Sequence, residues 1–255
     1  MHIIKCSHLH KSYAVDLRRR HKKAALQDIS FTVGPGEVFG IIGPNGAGKS
    51  TTLKILMGFI GADSGQAQMD GSSVGTVASR RHVGYLPENP SLYPNLTITE
   101  HLKFACRLEP KLSGKNKERI QELIKKVALS DAANVLIKKY SKGMVQRAAL
   151  AYALIADPQI LILDEPMSGL DPLGRQLVID IINECNQRGM TILFCSHILT
   201  DVERICHRIA IMNNSRLIAV TTPEEIHERY SKSFEKRGKT PLESYFLESI
   251  EADLK

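Results

Sequence analysis

The residues best suited to chemistry form a glycine-rich loop at positions 43–50, which read Gly-Pro-Asn-Gly-Ala-Gly-Lys-Ser. They fit the phosphate-binding pattern G-x-x-x-x-G-K-[ST] at every fixed position. Glycines let successive backbone N–H groups converge on phosphate oxygens without a Cβ in the way. Lys49 supplies a point charge for the β- and γ-phosphates, and the Ser50 hydroxyl can ligate magnesium. The loop therefore predicts that the chain binds a nucleoside triphosphate. The predicted contacts are Gly43, Pro44, Asn45, Gly46, Ala47, Gly48, Lys49, Ser50 and Thr51.

Two elements must position this loop. Residues 37–42 (EVFGII) end in apolar residues and predict a strand that runs into the loop, and residues 51–59 (TTLKILMGF) predict a helix that leaves it. The N-terminus of such a helix adds partial positive charge beside the phosphates. A plain glycine-rich turn is the alternative, and this strand–loop–helix context disfavours it.

A second reactive pair follows the apolar run 160–163 (ILIL), where the sequence continues with Asp164 and Glu165. A carboxylate at the end of a buried strand can hold magnesium through water. The adjacent Glu165 is then placed to orient and deprotonate an attacking water. Together with the phosphate loop, the pair predicts hydrolysis of the bound triphosphate.

The first half of the chain changes from β-structure to helix. The first 40 residues alternate short apolar stretches with turn signals, which is typical of strands. Residues 97–100 (Thr-Ile-Thr-Glu) form a capping box that opens a helical region. A stripe of apolar residues between lysines then predicts an amphipathic helix. Its members are Ile120, Leu123, Ile124 and Val127.

The second half returns to strands. The continuous apolar runs 160–163 and 191–195 predict buried parallel strands. Residues 208–221 predict a hairpin around Asn213-Asn214-Ser215, and two further capping boxes, beginning at Thr222 and Thr240, predict helices. The middle of the chain is therefore a helical insertion within an α/β domain.

Composition limits the function without deciding it. The chain has 255 residues, 43% of them hydrophobic and 24% charged, and no apolar run approaches the ~20 residues that span a bilayer. Its five cysteines form no CxxC pair, which predicts reduced, mostly buried thiols. The net charge of +7 suits either nucleic acid or an anionic membrane leaflet. Residues 18–23, the densest basic cluster, carry no nucleic-acid-binding motif, and a solvated loop is the preferred interpretation.

With residues 140–147 (YSKGMVQR), the chain resembles the ATP-binding cassette (ABC) ATPases over nearly its whole length. This segment resembles the family's signature, usually written LSGGQ, in the YSKGM form common among exporter-type members. In that family the signature binds the γ-phosphate of ATP held by the opposite subunit. A hydroxyl and a backbone N–H at a helix N-terminus suit an anion, and Ser141 can at the same time be a plain N-cap. The implied contacts are Ser141, Lys142, Gly143 and Met144.

Four further positions carry the resemblance or depart from it. Asp171, in residues 168–171 (SGLD), resembles the D-loop that crosses the dimer interface; His197 resembles the switch histidine that contacts the γ-phosphate, and Tyr13 the aromatic that stacks on adenine. Glu88 stands where the family typically has Gln, and a carboxylate can ligate metal but cannot donate a hydrogen bond unless protonated. The implied metal ligands are Ser50, Glu88 and Asp164, and the implied catalytic residues are Glu165 and His197.

The resemblance implies a fold. It is α/β, with a P-loop NTPase core that has a mixed sheet, an N-terminal antiparallel β subdomain and an inserted α-helical subdomain. The ATPase domain would occupy residues 1–230, with the insertion at about 89–150, and a helical extension would follow at 231–255.

The resemblance also implies a function. The chain would use ATP and Mg²⁺ to power transport, with export favoured over import. ATP would close a pair of ATPase subunits, identical or different, and the closure would drive separate integral membrane permease subunits. The chain would be cytoplasmic and peripheral on the inner face of the cell membrane, with no specific nucleic-acid partner. The alternative is a soluble ABC ATPase in nucleic-acid or cluster-assembly processes, which the basic charge permits.

Overall fold

The chain divides into two compact units, Met1–Arg81 with Leu193–Lys255, and His82–Ile192. A computed structural model describes residues 2–14, 22–108, 116–237 and 240–253. Of the basic cluster at 18–23, only Lys22 and Lys23 fall within the described residues; both are exposed, but they begin a strand, so the loop interpretation is wrong for these two.

An antiparallel sheet begins the first unit, as the pattern of the first 40 residues predicts. Its strands are β1 (Ile4–Ala14), β2 (Lys22–Val33), β4 (Ser64–Met69) and β5 (Ser72–Ser73), in the order β2-β1-β4-β5. Successive side chains of a strand face opposite sides, and Ile4 and Cys6 of β1 are buried while Lys5 is exposed. The buried parity then shifts to Leu9, because a bulge lies at His8, which has a φ of 52°.

The first unit also contains a mixed sheet. Its strands are β3 (Val38–Ile42), β8 (Thr191–Ser196, of which the last four residues belong here), β9 (Arg208–Asn213) and β10 (Arg216–Thr221). β3 pairs parallel with β9, and β9 pairs antiparallel with β10. Every residue of β3 is buried, as a continuous apolar run in a covered sheet requires. These pairings confirm the predicted mixed sheet and the predicted hairpin.

The α-helices in the described part of this unit are α1 (Lys49–Leu56), α6 (Leu199–Ile205), α7 (Pro223–Arg237) and α8 (Pro241–Asp253). The predicted capping boxes open α7 and α8. The Thr222 Oγ accepts from the Glu225 N–H at 3.2 Å, and the Thr240 N–H donates to the Glu243 carboxylate at 2.8 Å.

The predicted bounds of α1 were wrong at both ends. The helix begins at Lys49 rather than Thr51, within the phosphate loop, and ends at Leu56 rather than Phe59. It stops there because Gly58 adopts a φ of 68°, and the N–H of Phe59 turns back to the carbonyl of Lys54 at 2.9 Å. This left-handed glycine closes the last turn of a helix.

The described residues of the second unit include a pair of parallel strands and a helical insertion. Its elements are β6 (Val83–Leu86), α2 (Ile98–Leu108), α3 (Asn116–Lys126), α4 (Lys142–Leu154), β7 (Ile160–Asp164) and α5 (Pro172–Gln187). β6 pairs parallel with β7, and α2 to α4 lie between them in the chain, which confirms the predicted helical insertion. The Thr97 capping box is formed, since its N–H donates to the Glu100 carboxylate at 2.8 Å. The predicted apolar stripe of Ile120, Leu123, Ile124 and Val127 is buried.

The cysteines and the helices agree with the composition. All five cysteines are buried and none forms a disulfide, and burial raises the pKa of the Cys206 thiol well above its ordinary value. Cys195 is fully buried within β8, in agreement with the predicted buried thiols. In the part of the chain that the structure describes, no helix combines the length and apolarity needed to cross a bilayer.

Candidate functional site

The phosphate loop connects β3 to α1, and residues of β2 pack against its backbone. Gly48 has a φ of 109°, and a Cβ there would lie 2.6 Å from the Ala25 carbonyl oxygen and 2.7 Å from Leu26 Cδ2. Gly46 has a φ of 82° and open space around it, so glycine is needed there for the backbone conformation alone. Pro44, Asn45 and Gly46 are exposed. The loop is therefore packed against β2 at one end and accessible at its tip.

Lys49 is the charged residue of this loop. Its side chain is only 6% exposed, and its Nζ donates to the Gly43 carbonyl at 2.7 Å and to the Pro44 carbonyl at 3.2 Å. A buried ammonium is stable only with such acceptors. The positive charge is thus held against the loop backbone, where a phosphate would bind.

The loop also packs against the end of β9. Ile42 pairs with Ile211 in the parallel register, and a Cβ on the next residue, Gly43, would collide with the carbonyl oxygen of Met212. Met212 Cε lies 3.0 Å from the position that a Cβ on Gly48 would occupy. Met212 therefore contacts both ends of the glycine-rich segment.

Tyr13 and His197 are the remaining predicted site residues of the first unit. Tyr13 lies in β1, is 43% exposed, and has Lys11 Nζ 5.8 Å from its ring centroid. His197 follows β8 directly and is exposed. The Ser196 Oγ accepts from the N–H of Ile198 at 3.0 Å, which fixes the backbone on both sides of the histidine. Their contacts with nucleotide stay predictions.

In the second unit, Asp164 and Glu165 stand at the end of β7 as predicted. They are 3% and 8% exposed. Glu165 has a φ of 50°, in the left-handed region that non-glycine residues rarely occupy. Its carbonyl accepts from the N–H of Ser168 at 3.1 Å. Such strain is held only where the surroundings over-determine it, and it is concentrated at functional sites.

Gln146 was missed as a site residue by the sequence reasoning. It is 1% exposed, and its Nε2 donates to the carbonyl oxygen of Glu165 at 3.3 Å. The signal was a single amide on the otherwise apolar buried face of α4, with Ala149, Leu150 and Ala153. A buried polar side chain needs a partner, and here the partner is the backbone of the candidate base.

The signature segment (residues 140–147) begins helix α4. The Ser141 Oγ accepts from the N–H of Met144 at 3.2 Å, which confirms that Ser141 is an N-cap. Ser141 and Lys142 are exposed, so the start of α4 is accessible. A helix N-terminus of this kind favours an anion.

The structure brings the signature segment together with the D-loop segment (residues 168–171). A Cβ on Gly169 would lie 2.7 Å from Lys142 Cδ, and a Cβ on Gly143 would lie 3.2 Å from Leu170 Cδ2. The Asp171 Oδ1 accepts from the N–H of Gly174 at 2.9 Å and caps α5. The start of α4, the D-loop segment and Glu165 therefore form one contiguous group.

The candidate metal ligands fit magnesium by their chemistry. Ser50 is half-buried, Glu88 is exposed beyond β6, and Asp164 is buried. All three offer the hard oxygen donors that Mg²⁺ prefers, and Mg²⁺ commonly binds through one or two carboxylates together with substrate phosphates. Among the described residues, no three His, Cys, Asp or Glu side chains gather into a metal cage.

Comparison with known proteins agrees with these features. A sequence profile of the ABC transporter family matches residues 26–168. An uncharacterised ABC transporter ATP-binding protein of Nostoc is 44% identical over 226 residues, which are 88% of this chain and 68% of the relative. The Nod factor export ATP-binding protein I of Burkholderia pseudomallei is 37% identical, over 83% of this chain and 70% of the relative. A solved ATP-binding subunit of an ABC transporter superposes with a TM-score of 0.82 at 31% identity, covering 97% of this chain and 99% of that one. The chain therefore belongs to the ABC transporter family, as one of its ATP-binding, ATP-hydrolysing subunits.

Proposed function

We propose that this subunit hydrolyses ATP at composite sites shared by two ATPase chains, and so powers export through separate membrane permease subunits. The observation that carries the composite site is the exposed start of α4, where Ser141 and Lys142 leave a capped helix end accessible. A second chain's γ-phosphate could bind there by the same physics that draws anions to any helix N-terminus.

Each predicted residue then has a role of its own. The Lys49 ammonium and the loop N–H groups bind the phosphates, and Ser50, Asp164 and Glu88 would hold Mg²⁺, which when bound supplies charge neutralisation at the phosphates. The Glu165 carboxylate orients the attacking water and takes its proton. His197 contacts the γ-phosphate, and Tyr13 stacks on the base.

Export is proposed from the relatives and from the form of the signature segment. The Burkholderia relative is named for Nod factor export, and YSKGM resembles the exporter-type signature. The transported molecule would be selected by the permease, and the subunit would work at the inner face of the membrane. The soluble nucleic-acid alternative is not favoured, since the Nostoc and Burkholderia relatives are named as transporter or export ATP-binding proteins.

Affinity purification from detergent-solubilised membranes of the host tests the partnership. A tagged chain should retain a polytopic membrane protein, and that complex should hydrolyse ATP faster than the isolated chain. The tag should be placed at either end in separate preparations, as a control for blocked assembly. Recovery with nucleic acid in place of a membrane protein, lost on raising the salt, would contradict the transport proposal.

A further inference from the structure

The C-terminal helix α8 is bonded to the turn beside the phosphate loop. Asp253, in the last turn of α8, accepts from Asn213 Nδ2 at 2.9 Å and from Asn214 Nδ2 at 3.4 Å, through the same carboxylate oxygen. Asn213 is 4% exposed, so its amide needs this partner. A carboxylate acceptor makes the stronger, charge-assisted kind of hydrogen bond. The end of α8 is thus fastened to the end of β9.

The hydrogen bond between Asn213 and Asp253 lies one residue from the contact between Met212 and the phosphate loop. Met212 immediately precedes Asn213, and its carbonyl oxygen would collide with a Cβ on Gly43. Its Cε is 3.0 Å from the position of a Cβ on Gly48. A shift of Asn213 would therefore move Met212, and the glycines that pack on Met212 have no side chains with which to absorb the shift.

The turn itself is strained and held from two sides. Asn214 and Ser215 have φ values of 43° and 66°, the pair of left-handed residues that a type I′ hairpin requires. Serine is uncommon there, and bonds to β2 hold it: the N–H of Gln27 donates to the Ser215 carbonyl at 2.7 Å, and Ser215 Oγ donates to the Ala24 carbonyl at 3.0 Å. Asp253, in α8, holds the same turn through the amides of Asn213 and Asn214.

We infer that Asp253 is a positioning residue for ATP binding: through Asn213 it holds Met212 as the support of Gly43 and Gly48. Preorganising a binding loop raises affinity because less order remains to be imposed when the ligand binds. α8 is in turn anchored to α7, since Tyr230 Oη donates to Glu248 Oε2 at 2.6 Å. The inference rests on the proposed function only in that the phosphate loop is taken as the ATP site.

The test is the affinity of the full chain for MgATP, measured by calorimetry, in Asp253→Ala. The matched control is Glu251→Ala, which removes an exposed carboxylate from the same turn of α8. We expect the Kd for ATP to rise about fivefold in Asp253→Ala, because the charge-assisted hydrogen bonds from Asn213 and Asn214 are lost, and to stay at the wild-type value in Glu251→Ala. An unchanged Kd in Asp253→Ala, or an equal rise in both variants, overturns the inference.

Two further variants separate positioning from folding. Asp253→Asn keeps an oxygen acceptor and should recover most of the lost affinity. In Asn213→Ala combined with Asp253→Ala, the Kd should rise no further than in Asp253→Ala alone, because that change already removes the hydrogen bond from Asn213. The inference is overturned if the effects of the two changes on Kd are additive. It is also overturned if the variants lose enough thermal stability without ATP for unfolding to explain the whole rise in Kd. Failure of the wild-type chain to bind ATP would instead contradict the proposed function.

Discussion

Glu165 combines burial, a left-handed backbone and a position at the end of β7. Glu165→Gln keeps the size of the side chain and removes its ability to take a proton. We expect kcat to fall by about 10²-fold or more, while the Kd for MgATP stays within about twofold because the phosphate loop is untouched. The rate of hydrolysis is measured in turnover assays that include a single-turnover experiment, and the Kd is measured by titration with MgATP. Unaltered hydrolysis would remove Glu165 from the mechanism.

Gln146 offers a second test at the residue scale. Its amide donates to the Glu165 carbonyl, and Gln146→Met replaces it with an apolar side chain of similar length. We expect kcat to fall about tenfold, since a shift of the base by a fraction of an ångström is costly, with ATP affinity unchanged. Gln187→Met, an exposed glutamine of α5, is the matched control. Equal activity in the two variants would mean that Gln146 is only a packing residue.

Sequence patterns found the residues whose types carry chemistry, but not the contacts that hold them. The pattern at residues 43–50 predicted a glycine-rich phosphate loop, and Ser141 was recognised as a cap from local rules. Gln146 escaped because periodicity marks a helix face as buried without saying which polar group lies opposite. The φ of 50° at Glu165 escaped because no local rule demands a left-handed glutamate after a strand.

At the scale of elements, the α7–α8 pair makes a prediction about alkaline pH. Burial and the hydrogen bond to Glu248 raise the pKa of Tyr230 from 10.0 to about 12. Because the pKa in the folded state lies above that in the unfolded state, the stabilisation is full below about pH 10 and is lost as the pH rises towards 12. Wild type should therefore unfold at a higher temperature than Tyr230→Phe at pH 8, by the equivalent of about 1–2 kcal/mol, and the difference should disappear near pH 12.

Thermal unfolding of the two proteins across this range, followed by circular dichroism, gives the comparison. Tyr230→Phe is also the control for general alkaline destabilisation of the wild type, since it carries every other ionising group. A difference that stays constant from pH 8 to 12 would mean that Tyr230 has the same pKa in the folded and unfolded states, and the prediction would be wrong.

Helix starts that carry a capping box were predicted better than helix ends or polar strands. The three threonine capping boxes, at Thr97, Thr222 and Thr240, are formed as predicted, because capping is a local hydrogen-bond exchange. The end of α1 depended on Gly58 adopting a positive φ. β4 (SGQAQM) has little apolar character of its own, and its strand conformation comes from pairing with β1, a partner distant in sequence.

At the scale of the whole molecule, the motifs divide between the two units of the chain. The phosphate loop belongs to the first unit, and the signature segment with Glu165 belongs to the second. If the sites are shared between chains, the phosphate loop of one chain needs the signature segment of a second chain for hydrolysis. Glu165→Gln should then hold ATP without cleaving it and elute as a dimer with ATP and as a monomer without it. A monomer under both conditions would contradict ATP-dependent closure.

Complementation between two inactive variants tests the shared site directly. Lys49→Ala removes the phosphate-binding charge, and Ser141→Arg blocks the exposed start of α4. Each alone should be inactive, because every site in its dimer lacks one part. In an equimolar mixture, half of the dimers carry both variants, and one of their two sites pairs an intact loop with an intact signature segment. The mixture should thus regain roughly a quarter of wild-type activity if the sites act independently. Lys49→Ala mixed with the Lys49→Ala/Ser141→Arg double variant has no intact loop and should stay inactive. No recovery in the first mixture, with heterodimers demonstrated by differently tagged chains, would mean that Ser141 does not act across the chains.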